Sequence, residues 1–337
     1  MTTIFTLIPN LNGEDTIEKC VNSLLSQTVK NKIIVIENGS TDNSLTILKK
    51  NYPDIEIIEN SKNLGFAGGV NQGIKKAVEL GAEYIALFNN DAVADKKWLE
   101  ELINVIKESP KVGIIAPKIL SADKKHLDST GDQYTNWGLP YPRGRKEEIS
   151  GQYNSPERVF SASGGASLYR VSMLKEIGLF DEGFFAYYED VDISFRAQLA
   201  GWKVAYEPSS IVYHEIGATS SKIPGFTTYQ TIKNLPWLFW KNVPRKYLFT
   251  VGIRFYIAYF SFIFSAISRG QIVPVLKGFF VSLVLMPKKL FERHKIQSKM
   301  KVSPEYIWSI MTHDLPPNAT KLRKLRLSYS KLLGRGK

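Results

Sequence analysis

YIALFNND, Tyr84 to Asp91, is the stretch on which the fold turns. Its first five residues form an apolar run of strand length and read as a buried strand. Two amides and a carboxylate follow, at the carboxyl end of that strand, where open α/β sheets bind ligands. Asp91 can hold a hard divalent cation through oxygen, and Asn89 and Asn90 can add carbonyl oxygens or ribose contacts. Residues of this kind after a strand also serve as helix N-caps, so the stretch gains its meaning from what surrounds it.

Outward from Tyr84 the chain alternates strand and helix patterns. TIFTLIP (Thr3–Pro9), KIIVIE (Lys32–Glu37) and IEII (Ile55–Ile58) read as earlier strands, and VGIIAPKIL (Val112–Leu120) as a later one. Helical spacing joins Ile17, Val21, Leu24 and Leu25, with Asp15 or Thr16 as cap, and Leu45 with Leu48 behind a serine or threonine cap. A Gly-rich turn precedes a helix carrying Val70, Ile74, Ala77 and Val78 and closed by Gly81; Leu99, Leu102, Ile103 and Ile106 mark the next. Repeated βα units imply an α/β fold, a mostly parallel sheet with helices on both faces. Residues 121–158, polar and rich in Gly, Pro and Tyr, read as a long loop or hairpin over the active face. Val159–Arg170 reads as a strand with a glycine break, followed by a short helix. A further helix has Ile193, Ala197 and Leu199 or Ala200 inward and ends at Gly201, and KVAYEP and IVYHE read as two short strands. With no linker among these pieces, residues 1–221 are expected to form one domain.

Charge divides the chain at that boundary. The formal net charge is +12, but residues 222–337 hold 21 Lys and Arg against three acids, leaving 23 against 29 for residues 1–221. The basic part interleaves its cations with long apolar runs, Leu248–Ile267 and 272–286, unlike a solvated phosphate-binding arm. That pattern argues against nucleic acid. It favours helices lying in a membrane interface, with Lys241, Arg245, Lys246, Arg269, Lys288, Lys289 and Arg293 toward anionic headgroups, over a spanning hairpin, with an ordinary buried helical subdomain as the remaining alternative. Arg254 sits near the middle of the first run, where a spanning helix would bury it at a cost of a few kcal/mol. The lone cysteine, Cys20, falls on an apolar helix stripe and suits a reducing compartment. The chain enters its first strand without a basic leader, so a cytoplasmic protein, peripheral to the inner face of the cell membrane, is expected.

Polar clusters fall at successive strand ends: Pro9, Asn10 and Asn12; Glu37, Asn38 and Ser40; Asn63 to Gly73, with Gly65, Phe66, Gly69 and Asn71; and Asn89 to Asp91. Parallel neighbours would set these loops side by side along one crevice. The glycines permit close backbone approach, or plain helix–strand packing. Later, Glu189, Asp190 and Asp192 bunch at a helix start, where capping alone would account for at least one of them. His214 ends a short strand and can serve as a metal ligand beside an aspartate.

In order along the chain, PNLNGED, IENGSTDNS, NLGFAGGVNQGI, LFNND, GGASLYR, FDEGFFAYYEDVD and YHE resemble the family 2 glycosyltransferases of GT-A fold, nearest the rhamnosyltransferase-like branch. The resemblance covers roughly residues 3–220, with a looser likeness in the tail. It implies a Rossmann-like GT-A domain followed by a C-terminal basic amphipathic helical region. Asp91 would hold Mg²⁺ or Mn²⁺ against the donor diphosphate, with His214 completing the site; Asn89 stands where the family often has its first aspartate. Glu37, where aspartate is common, would meet the nucleotide base or ribose, and Gly164-Gly165 the sugar. Asp190 would be the catalytic base of an inverting transfer. The implied partners are a nucleotide-sugar donor, dTDP-rhamnose by likeness to that branch, and a lipid-linked saccharide acceptor. Donor base, linkage and homo-oligomer formation stay open. A sugar nucleotidyltransferase would want a Gly-rich phosphate loop after the first strand, where this chain has PNLNGED. A non-catalytic scaffold would have no need of Asp91, Asp190 and His214.

Overall fold

The computed structural model describes residues 2–215, 223–317, 319–320 and 322–324; the end of the expected basic region lies outside them. In chain order the first half consists of β1 (Ile4–Asn10), α1 (Ile17–Leu25), β2 (Lys32–Glu37), α2 (Ser44–Asn51), β3 (Glu56–Glu59), α3 (Gly65–Glu79), β4 (Tyr84–Phe88), β5 (Ala92–Ala94), α4 (Trp98–Glu108) and β6 (Val112–Ser121). Short strands β7 (Leu127–Ser129), β8 (Asp132–Tyr134), β9 (Pro140–Pro142) and β10 (Glu157–Arg158) follow, then β11 (Ala166–Arg170), α5 (Val171–Ile177), α6 (Glu189–Leu199) and β12 (Lys203–His214). The chain goes on through α7 (Phe226–Asn242), α8 (Leu248–Ser268), α9 (Ile272–Ser298) and α10 (Pro304–Ile310).

The sheet runs β10-β12-β6-β11-β4-β1-β2-β3. Strands β4, β1, β2 and β3 are parallel, as repeated βα units require, while β11 inserts antiparallel between β4 and β6. Alternation along each strand feeds two cores. Ile4, Ile8, Ile33, Val35, Ala86 and Phe88 meet α1, α2 and α4. Phe5, Leu7, Ile34, Ile36, Ile85 and Leu87 meet α3, α5 and α6 on the other face.

Several expectations are corrected. KVAYEP and IVYHE are one strand, β12, whose register against β6 shifts between Glu207 and Ile211. Leu25 faces solvent; Ile17, Cys20, Val21 and Leu24 form the buried stripe. The second helix is preceded not by a hydroxyl cap but by Asp42, whose carboxylate accepts from Ser44 N at 3.0 Å. The Gly-rich segment is the opening of α3 rather than a turn before it. Its first residue, Gly65, sits at φ +74°, and a Cβ there would lie 2.5 Å from the Phe185 carbonyl oxygen.

Helix α7 gave no sequence signal, because it is buried around most of its circumference and carries Pro236. It packs with α8 and α9 into a third core, against Val191, Phe195 and Leu199 of α6. Lys241 and Lys289, expected at headgroups, are instead buried in an ion cluster: Lys241 Nζ lies 2.5 Å from Asp181 and 3.0 Å from Asp192, and Lys289 Nζ 2.6 Å from Asp181. Arg293 also turns inward, donating to the carbonyls of Trp240 and Val243. Asp181 and Asp192 hold the two lysines, because an unpaired charge in the core would be far costlier. The segment Arg245–Ser268 is long and apolar enough, by length and composition, to cross a membrane.

Candidate active site

A cavity of about 560 Å³ opens at the carboxyl ends of β1, β2 and β4, within the range of small-ligand sites. It gathers Pro9, Asn10, Asn38, Asn63, Gly65, Phe66, Asn89, Asn90, Asp91, Gly164, Gly165, Asp190 and His214 from segments far apart in the chain. The other expected residues stand behind this wall. Glu37 is buried and takes Asn10 Nδ2 at 2.6 Å and the Ser40 amide at 2.8 Å. Ser40 Oγ accepts from the Asn12 amide, and Asn12 Oδ1 from Thr41 N, so the pair ties two loops together. Gly69 abuts Asn38 from α3, and Asn71 bonds the Phe180 backbone through both ends of its amide. Among the cavity residues, Asn38 also shapes the approach to α3, donating to Asn63 Oδ1 and the Gly65 carbonyl.

At one end of the cavity a carboxylate meets an imidazole. Strand β12 delivers His214, whose Nε2 lies 3.1 Å from Asp91 Oδ1 and 3.2 Å from Asn89 Nδ2. Its other nitrogen, Nδ1, is 2.8 Å from Asp128 Oδ2, and Arg145 Nε donates to Asp128 Oδ1 at 2.8 Å. Burial opposes a charged imidazolium here, but the bonds and charges of Asp128 and Asp91 outweigh it and raise the His214 pKa to about 9. Asp91 Oδ1 is buried and, among the described residues, has the His214 ring nitrogen as its ionic neighbour. A buried carboxylate oxygen beside an imidazole fits a divalent cation, which would take the place of the ring proton. Among the described residues no three side chains gather into a metal-holding cluster. Two protein ligands suit Mg²⁺ or Mn²⁺, which take their remaining ligands from water and substrate phosphates. Cys20 Sγ donates to the Asn89 carbonyl from beneath; burial, then the charge of Asp91, pushes its thiol pKa up, keeping it neutral.

The other end is acidic. Asp190, in the first turn of α6, accepts from Gly164 N at 2.9 Å and Val191 N at 2.8 Å. Burial raises its pKa above the usual carboxylate range despite those amides. Asp132, from β8, accepts from Ser129 Oγ at 2.8 Å; burial and then the Asp190 charge push its pKa up to about 7. Glu189 lines the cavity with Oε2 buried and unpartnered among the described residues, its pKa raised by burial and Asp190. Asp192 faces away, pairing with Arg196 Nε at 2.9 Å, and is the structural member of the acidic trio. Asp128, Asp132 and Arg145 were missed in the sequence because they sit in the weakly periodic 121–158 segment. The only hint was that this segment was expected to cover the active face.

Comparison with known proteins fits this geometry. The profile described as Glycosyl transferase family 2 matches residues 6–178, just over half of the chain. An N-acetylglucosaminyl-diphospho-decaprenol L-rhamnosyltransferase of Mycobacterium tuberculosis is 26% identical over 214 residues, 57% of this chain and 69% of that protein. A poly-beta-1,6-N-acetyl-D-glucosamine synthase of Staphylococcus aureus is 25% identical over 210 residues, 61% of this chain; the chain spans about half, 48%, of that synthase. The crystal structure of S. aureus TarS 1–349 superposes with a TM-score of 0.55 at 16% identity, covering 92% of this chain and 90% of that one. A mannosyltransferase of Pyrobaculum calidifontis, in complex with GDP-Man and Mn²⁺, superposes with a TM-score of 0.52 at 13% identity, covering 91% and 87%. At these identities the structural likeness speaks for the GT-A fold.

Proposed function

The chain belongs to glycosyl transferase family 2, and from that premise we propose that it is an inverting, metal-dependent glycosyltransferase of cell-surface polysaccharide synthesis. It moves a sugar from a nucleotide-sugar donor, dTDP-rhamnose being the first candidate, to a lipid-linked saccharide. The observation that carries this reading is a cavity that has Asp91 and His214 at one end and Asp190 at the other. The mycobacterial relative, named as an N-acetylglucosaminyl-diphospho-decaprenol L-rhamnosyltransferase, supports rhamnose and a lipid-linked acceptor; the dTDP carrier rests on the resemblance to the rhamnosyltransferase-like branch.

Asp91 and His214 would hold Mg²⁺ or Mn²⁺, which supplies Lewis acidity that stabilises the leaving nucleoside diphosphate. Asp190 takes the proton from the acceptor hydroxyl as that oxygen bonds to the anomeric carbon and the bond to the diphosphate breaks. One base and one displacement invert the anomeric centre. Burial favours the neutral form of Asp190 and so makes the carboxylate a stronger base than a solvated one. Phe66, Phe185, Tyr187 and Phe226 give the cavity an aromatic wall.

Membrane association is part of this proposal. Phe249, Ile253, Ile257, Phe260 and Phe264 form one exposed stripe on α8, and Val273, Leu276, Phe280 and Leu283 another on α9. Exposed Arg245, Lys246, Arg269, Lys277 and Lys288 accompany them. Apolar stripes rimmed by cations suit the inner face of an anionic membrane.

The test is nucleoside diphosphate release from dTDP-rhamnose, UDP-glucose, UDP-galactose, UDP-GlcNAc and GDP-mannose with Mg²⁺ or Mn²⁺, with and without membrane extract. Turnover of one donor, lost with EDTA and in Asp91→Ala, is expected; no turnover of any donor would refute the proposal.

A further inference from the structure

The approach to α6 is strained in an unusual way. Phe185 has φ 66° and ψ −62°, and the Ala186 amide donates to the Phe184 carbonyl at 2.8 Å. This is the γ-turn of positive φ, which is rare and strained. Tyr187 and Tyr188 follow at φ 69° and 73°, in the left-handed region that bulky L residues avoid. Three aromatic residues within four positions therefore hold unfavourable backbone, all on the cavity wall, and Tyr188 is the N-cap residue of the helix that carries Asp190. Such strain persists only where surrounding structure over-determines it.

Asn234 of α7 is what surrounds it. Its Nδ2 lies 3.0 Å from the Phe184 carbonyl, 2.9 Å from that of Ala186 and 2.9 Å from that of Tyr187. Three acceptors on one side fix which end of the amide faces the segment, and Asn234 is wholly buried. Its neighbour Lys233 adds bonds to the carbonyls of Gly183 and Phe184 at 3.1 and 3.2 Å. Helix α7, like the clamped segment and Asp190, lies beyond the matched residues 6–178.

We infer that Asn234 is a positioning residue: by clamping the strained Phe184–Tyr187 backbone it sets the start of α6 and holds Asp190 against Gly164. Without the clamp the segment relaxes toward negative φ, the first turn of α6 swings, and the base leaves its place at the acceptor hydroxyl. The inference rests on the reading of Asp190 as catalytic base. It gives the C-terminal helices a part in catalysis apart from any membrane contact.

The experiment is steady-state kinetics of Asn234→Ala and Asn234→Asp, on the sugar nucleotide that the donor panel turns over, beside donor binding and melting curves. A misplacement of about 1 Å can reduce a rate by about 10²-fold. The expected result is a kcat lowered by that order, with donor affinity within about threefold of the parent and a cooperative melt. A kcat within threefold of the parent overturns the inference. So does a loss explained wholly by a smaller folded fraction. If Asn234→Ala and Asn234→Asp do not fold, Asn234→Ser, which keeps one donor, is judged by the same criteria. A parent that turns over no donor sinks this inference together with the proposed function, whereas an active parent with an unaffected Asn234→Ala sinks this inference alone.

Discussion

The Gly164 amide donates to Oδ2 of Asp190 at 2.9 Å, so a glycine of the GGASLYR segment fixes the carboxylate of the YYED segment across the cavity. With Val191 N on Oδ1, the carboxylate is held in one rotamer before any substrate arrives. Preorganisation of this kind spares the base a conformational search in the transition state. Asp190→Asn keeps the shape and removes the basicity. Transfer should fall by roughly 10²–10⁴-fold, the usual contribution of a general base, while donor affinity stays near the parent value. Lost donor binding with unchanged turnover would exclude this role.

Asp132 supplies a pH signature. Its folded pKa of about 7 lies above an unfolded value near 3.9. Between those values the folded chain keeps a proton that the unfolded chain releases, so this contribution to stability is present below about pH 4 and is lost as pH rises through about 7. Asp132→Asn removes this contribution. The melting temperature of the variant minus that of the parent should therefore grow between pH 5 and pH 8. A difference independent of pH would contradict the assignment.

His214 meets Asp128 on the side away from Asp91, the arrangement in which a carboxylate orients a metal-binding imidazole. Asp128→Asn should weaken Mn²⁺ binding about 10–100-fold, as loss of such partners does elsewhere. Titration of Mn²⁺ into parent and variant, followed by the paramagnetic signal of the free ion, measures it directly. Equal affinities would show that Asp128 does not orient the ligand.

Lys241 is buried between Asp181 and Asp192 and joins α7 to α6. Lys241→Met leaves the carboxylate of Asp192, beneath the proposed base, short of one cation. Breaking a buried pair on one side costs about 3–5 kcal/mol, and urea unfolding should show a loss of that size. A change under about 1 kcal/mol would mean that Arg196 and Asn242 suffice for Asp192.

Phe264 and Phe280 stand out from the exposed stripes of α8 and α9. Phe264→Ser with Phe280→Ser should reduce co-sedimentation with vesicles containing anionic lipid several-fold, and raised salt should weaken binding of the parent. Turnover of a water-soluble acceptor should be unchanged. Vesicle binding that ignores both the substitutions and salt would remove these stripes from the membrane contact.

Strand and helix periods are local properties, and the sequence by itself determined what depends on them. Lys32–Glu37 and Tyr84–Phe88 are strands with the bounds expected of them, and the parallel βα order and both helix layers follow from the same alternation. Ordered motifs likewise pointed to the cavity residues at the strand ends. What only the tertiary structure decided depends on contacts between distant segments. The antiparallel insertion of β11 is a matter of pairing, to which side-chain period is blind. Glu37 and Asp128 illustrate the limit: the motif residue stands behind the wall, while an aspartate of an irregular segment folds in to hold His214. Helix α7 was invisible for a related reason. A helix buried on nearly every side shows no polar face, so only the assembled third core reveals where Asn234 and Lys241 point.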